Sequence, residues 1–231
     1  MSIFKRYLLF GLGVFFMAFG ISCVIKSLLG TSPISSIPYI LSLEYTLSLG
    51  TFTFIVNMTF LLGQILILRR QFQYIQLLQI PITVVFSFFI DMTMSLLNGL
   101  APEFYISRFL TVLLGTTFLA FGVSLQIIAN VVTLAGEGLV NAIASCWQFD
   151  FGRTKTVFDT TLVLIAGLLS WLYFGEFRGI REGTFISALL TGSIARFCIK
   201  NLSCIDAGGQ ITLKTFRTKA VNNPSRKKQL H

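Results

Sequence analysis

Phe16-Met17-Ala18-Phe19-Gly20-Ile21-Ser22 returns 102 residues later as Phe118-Leu119-Ala120-Phe121-Gly122-Val123-Ser124. At the same shift Ile25 meets Ile127, Thr31 meets Thr133, Gly50 meets Gly152 and Asn57 meets Asp159. The echo runs without a gap, so it reads as an internal duplication, with repeat 1 at about 7–98 and repeat 2 at about 108–202. It also decides the reading of the N-terminus. Lys5 and Arg6 ahead of an apolar run at 7–25 resemble a removable signal. A removable signal has no reason to recur inside the chain, so 7–25 reads as the first transmembrane helix.

Composition points the same way. Of 231 residues, 54% are hydrophobic and only 12% charged. Soluble domains carry about 25% charged residues. A mean hydropathy of +0.79 excludes an ordinary globule and a disordered chain. The net charge of +9 does not make a nucleic-acid binder, because the charges sit in short clusters between apolar runs. Membrane lipids, not nucleic acid, are the expected surroundings.

Long apolar runs lie at 7–25, 52–68, 77–97, 109–128, 157–174 and 184–202. Each is close to the roughly 20 residues that span a bilayer. Two stretches, 28–47 and 131–148, are apolar but interrupted by Gly30, Pro33 and Pro38 in the first and by Gly136, Glu137 and Gly138 in the second. The expected fold is therefore an all-α polytopic membrane protein. It has two tandem repeats of about 100 residues, each with three long transmembrane helices and one short broken or re-entrant segment. Eight full spans is the alternative. Positive loops stay in the cytoplasm. Six spans put Lys5, Arg6, Arg69, Arg70, Arg153, Lys155 and the tail inside, and make the halves inverted. Eight spans would make them parallel and move Arg69 and Arg70 outside. The charge rule favours six. Residues 1–204 then form a single transmembrane domain. Residues 205–231 form a basic cytoplasmic tail, expected to be solvated and to lie near anionic lipid.

Few residues can carry chemistry. The cysteines at 23, 146, 198 and 204 form no C-x-x-C pair, and the one histidine is His231. No metal site, cofactor or enzymatic activity is expected, since no nucleophile–base or nucleotide-binding motif is present. The deep polar residues are the remaining candidates. Glu137 lies in the second interrupted segment, where a carboxylate at membrane depth is costly and normally faces protein or water. Its flanking glycines suggest a break in the backbone. Thr31 and Ser32 precede Pro33, a helix-start pattern whose free N–H groups and partial positive charge suit an anion. Lys155 and Asp159 are four apart on one helix face, and Asn57 is the repeat counterpart of Asp159. Thr31, Ser32, Asn57, Glu137, Lys155 and Asp159 are the expected substrate-binding residues. Contact between Asn57 and Asp159, and pairing of Asp91 with Arg196, are further expectations.

Several of these residues resemble one family. Phe19-Gly20, Gly30-Thr31-Ser32-Pro33, Gly50, Asn57, Leu134-Ala135-Gly136-Glu137-Gly138, Lys155, Asp159 and Arg181-Glu182-Gly183-Thr184 resemble the YczE/YyaS/YitT group of bacterial polytopic membrane proteins. The resemblance covers about 5–203. It implies a multi-pass protein of the bacterial cytoplasmic membrane and names no substrate. YitT-type members usually carry a soluble C-terminal domain, and a basic tail in its place puts this chain nearer YczE. Two functions follow as expectations. The first is a secondary transporter or facilitator of a small solute, its site between the two interrupted segments. The second is an accessory protein that organises a membrane partner or its own oligomer.

Overall fold

A computed structural model describes residues 3–205 and 211–213, with side chains for 4–202. Eight helices follow one another: α1 (Ile3–Lys26), α2 (Pro33–Glu44), α3 (Leu49–Leu68), α4 (Gln79–Leu96), α5 (Tyr105–Ala129), α6 (Ala135–Trp147), α7 (Phe151–Phe174) and α8 (Glu182–Leu202). Two 3₁₀ turns, Arg69–Gln71 and Tyr74–Leu78, join α3 to α4. Six helical stretches are long and apolar enough to cross a membrane: Phe4–Lys26, Leu49–Gln71, Tyr74–Leu96, Tyr105–Ala129, Phe151–Phe174 and Glu182–Leu202. The chain is an integral membrane protein. The two interrupted segments are the short helices α2 and α6, of 12 and 13 residues. Of the expected tail, 206–210 and 214–231 lie outside the described residues. Ser203–Ile205 pairs antiparallel with Ile211–Leu213, so part of the expected tail is paired strand.

Local chemistry sets the helix limits. The Ser48 side chain accepts from the Thr51 N–H at the start of α3. At the start of α7 the Asp150 side chain accepts from Arg153 in the same way. Both are N-caps that satisfy a free N–H of the first turn. The chain leaves α1 through Leu28 at φ 61° and leaves α5 through Asn130 at φ 48°. Asn tolerates this left-handed backbone; a branched residue such as Leu does not, and Leu28 is held there against its preference. Inside α2, Pro38 removes the N–H that would have bonded the Ile34 carbonyl.

The centre of the bundle is the crossing of α1 and α5. A Cβ on Gly20 would overlap the backbone of Gly115 and Leu119; one on Gly122 would overlap the Gly13 carbonyl and Met17. Gly13 therefore faces Gly122, and Gly20 faces Gly115, so the helices run in opposite directions. Small residues let two backbones approach closely, which is how lipid-embedded helices gain dispersion contacts. Gly11 has nothing within 4 Å and takes no part. The phenylalanines of the repeated motif close the crossing. Phe16 stacks on Phe118 at 6.0 Å and Phe19 meets Phe118 edge-on at 5.1 Å. Phe16 meets Phe121 in the same way at 5.3 Å.

By contrast α1 and α4 run in the same direction. Phe15 contacts Phe89, Ser22 hydrogen-bonds Thr93 at 2.7 Å, and Lys26 donates to Asn98 at 3.0 Å. Both chain directions require α2 to enter and leave at one end of the bundle; α8 starts at that same end, beside Leu29, so α6 enters and leaves at the other. A crossing α2 would have reversed α4 relative to α1. The end that holds the starts of α1 and α4 is called the terminal face below.

Candidate functional site

The short helices meet at their N-termini. A Cβ on Gly136, in the first turn of α6, would overlap the end of Ile34 in the first turn of α2. Phe60, Leu61, Ala135 and Leu162 pack around this junction with Ile34, Ile37 and Phe158. The glycines beside Glu137 do not break the helix. Gly136 makes room for Ile34, and Gly138 makes room for the Gln64 side chain. The expectation of a broken backbone there is corrected: both glycines are helical, and the need is for close packing.

Gln64 and Gln79 anchor the start of α6. Both are buried, and they exchange amide bonds across the α3–α4 turn, at 3.1 and 3.2 Å. Gln64 Nε2 also donates to the Ala135 carbonyl at 2.8 Å. The loop before α2 is anchored differently. Gly183 donates its N–H to the Leu29 carbonyl at 2.8 Å, and the Thr31 N–H donates to Thr184 Oγ1 at 3.2 Å.

The expected site residues fall around this junction in two sets. Glu137 sits in the first turn of α6 within electrostatic range of Lys155 and Asp159. Lys155 Nζ binds Asp159 Oδ1 at 2.8 Å in a half-buried pair. Thr31 and Ser32, both buried, sit at the start of α2. Thr31 Oγ1 has no partner among the described residues, while Ser32 bonds Ser35. Ser35 lies 102 residues before Glu137, the shift at which the Phe16–Ser22 stretch recurs, with a hydroxyl where the later position carries a carboxylate. Asn57 is buried, but it donates to the Thr53 carbonyl of its own helix rather than to Asp159. Asp91 does not pair with Arg196. It accepts from the Gly50 N–H and the Ser48 hydroxyl, both at 2.7 Å, and so caps α3. Arg196 is exposed on α8.

Two pockets flank the junction. One, of about 290 Å³, lies at the terminal face and is lined by Gln76, Gln79, Gln126, Asn130, Thr133 and Glu137 among others. The other, of about 650 Å³, lies at the opposite face; Leu28, Tyr39, Arg108, Glu176, Arg178 and Arg181 are part of its wall. Their walls use corresponding positions at the 102-residue shift. Ile25 and Ile127, Leu28 and Asn130, Gln76 and Arg178, and Gln79 and Arg181 are such pairs. The arginines of the larger pocket are engaged locally. Arg178 binds Glu176 at 2.6 Å, and Arg108 donates to the Pro102 carbonyl at 2.9 Å.

Residues 4–200 match DUF6198, a family of unknown function. The chain belongs to that family. No curated protein and no solved structure matches it. The family assignment thus supplies no substrate for the site, and its chemistry rests on the residues alone. Gln64, Gln76, Gln79 and Ser35 were not expected as site residues from the sequence. The available signal was a carboxamide inside or beside an apolar run, as at Gln64 and Gln79.

Proposed function

We propose that this DUF6198 chain is a secondary transporter or facilitator of a small solute, with its site where α2 and α6 meet. The observation that carries the reading is the pair of pockets at opposite ends of the bundle, walled by corresponding positions. Tandem duplication supports it as well. Repeat-related helices start 102 residues apart in three of four cases: Ile3 and Tyr105, Pro33 and Ala135, Leu49 and Phe151. Inverted repeats with short helices meeting at the midplane give two equivalent routes to one site, one from each face. In this reading Thr31 and Ser32 present the start of α2, Glu137 carries the site's charge, and Lys155 and Asp159 set the field behind it. Asn57 holds α3 in shape beside them. The resemblance to the YczE/YyaS/YitT group fits the same architecture.

The test is electrical and solute-based. Proteoliposomes on a solid-supported membrane are challenged with small amines, amino acids and monocarboxylates. One class should evoke currents above protein-free liposomes, and Glu137→Gln should reduce them at least about tenfold while the protein keeps its melting temperature. Full currents in Glu137→Gln would remove Glu137 from the mechanism. Absence of current for every class would favour the accessory role, in which the basic residues beyond 205 recruit a membrane partner or a second copy.

The cytoplasmic membrane of a bacterium, with both termini inside, is the orientation proposed from the positive loops. A cysteine placed at Arg70 should react with impermeant maleimide only after the cells are opened. Labelling of intact cells would reverse the orientation.

A further inference from the structure

We infer that the pocket at the terminal face binds a small organic cation carrying several N–H donors, held by Glu137, Gln76 and Gln126. In resting on the transport reading, it names the solute class of that reading.

The wall of this pocket holds polar atoms that the protein does not satisfy. Gln126 is 3% exposed, and neither its Oε1 nor its Nε2 has a partner. Gln76 Oε1 is also buried and unpartnered. Buried polar groups are normally paired, and each orphan calls for an explanation. The two residues that carry these three orphan atoms line one cavity, together with Glu137, whose carboxylate makes no hydrogen bond or ion pair among the described residues.

Charge narrows the ligand. Lys155, the basic side chain within electrostatic range of Glu137, is already bound to Asp159. Those two charges cancel, so an ionised Glu137 is the one uncompensated charge on this wall, and a bound cation would favour that ionised form. An anion is disfavoured and a monocation favoured. The atoms narrow it further. Two carboxamide oxygens and a carboxylate are acceptors, so the ligand must bring donors. No group of three His, Cys, Asp or Glu that could hold a metal ion exists among the described residues. A quaternary ammonium is equally unsuited, since it has no N–H, and its usual aromatic cage is missing: no aromatic residue lines this pocket. Alkylammonium and guanidinium groups supply donors to the carboxylate and to both carboxamide oxygens, and the Gln126 Nε2 donor is left to water or to an acceptor elsewhere on the solute. The size agrees, as about 290 Å³ takes a solute of a few heavy atoms.

The experiment uses the full chain purified in detergent. Melting temperature and titration calorimetry are followed with methylguanidinium, ethylammonium, tetramethylammonium and sodium chlorides at equal ionic strength. Saturable stabilisation is expected with methylguanidinium and ethylammonium and none with the other two. Glu137→Gln should weaken methylguanidinium binding at least about tenfold. Gln126→Leu should keep the melting temperature of the ligand-free protein, because it removes the orphan atoms together, yet lose binding by a similar factor. Gln76→Leu, at the edge of the cavity, serves if Gln126→Leu does not fold. Equal stabilisation by tetramethylammonium or sodium, or no binding by the folded wild type, would overturn the inference. So would wild-type affinity in the Glu137 variant and a Gln variant together. Methylguanidinium binding without flux in proteoliposomes would leave this site standing and remove the transport reading. Flux of a solute with which methylguanidinium does not compete would do the reverse.

Discussion

Replacing Gly20 with valine should take the bundle apart, with a loss of at least about 3 kcal/mol, the upper end of overpacking costs. The reason is geometric. A Cβ at Gly20 lands on the backbone of Leu119 and the Gly115 carbonyl, and backbone cannot swing aside as a side chain can. The two helices would have to separate where Phe16, Phe19, Phe118 and Phe121 interlock. Lipid fills the gap as well as protein does, so little restoring force opposes the separation. Gly11 provides the control. It lies two turns and more away on the same helix, with open space around it. Gly11→Ala should be neutral or stabilising by up to about 1 kcal/mol through helix propensity. Melting temperature and elution profile in detergent measure both. A Gly20→Val protein as stable and monodisperse as wild type would mean that α1 and α5 do not cross as described.

The repeated motif was legible because its residues do one physical job twice. Phe16 and Phe19 meet Phe118 and Phe121 at the crossing, where Gly20 faces Gly115 and Gly122 faces Gly13, so both copies of the motif lie in one contact that needs aromatic rings beside bare backbone. The six long helices were legible because lipid demands about 20 apolar residues per span and tolerates few charges. The short helices were legible in outline through Pro33 and the Ala135-Gly136-Glu137-Gly138 stretch. Their role was only half readable. Flanking glycines look the same in sequence whether they break a helix or admit a neighbour, and Ile34 and Gln64 decide for the second. Pairing across helices was less legible still. Asp91 and Arg196 looked like two charges in need of each other. The true partners of Asp91, Ser48 and Gly50, lie on the preceding hairpin arm, where the start of a helix offers free donors. Lys155 with Asp159 was legible because its spacing is local. Gln126 could be noticed in an apolar run, but nothing in the sequence says that its amide is buried without a partner in the wall of a cavity.

Gln64→Leu should be the most damaging substitution at the site itself. The side chain is 1% exposed and holds three groups at once: both polar atoms of the Gln79 amide and the Ala135 carbonyl. Leucine is similar in volume but leaves both polar atoms of the Gln79 amide buried and unpaired and leaves the Ala135 carbonyl only its bond within α6. Each orphan costs about 1–3 kcal/mol, so a loss of about 3–5 kcal/mol is expected. Part of it is local. Ala135 opens α6, and its carbonyl is held by Gln64, so the first turn with Glu137 loses its tether. Gln79→Leu should cost less, because Gln64 keeps its bond to Ala135. The double variant decides between lost packing and lost pairing. If the amides matter as a pair, removing both should cost less than the sum of the single losses, since the Gln79 orphan disappears with its partner. Melting temperatures of the four proteins close the cycle. Additive losses would mean that the two glutamines act independently. A Gln64→Leu protein with wild-type stability and wild-type flux would mean that α6 needs no anchor, and Glu137 would then owe its position to the Gly136–Ile34 packing alone.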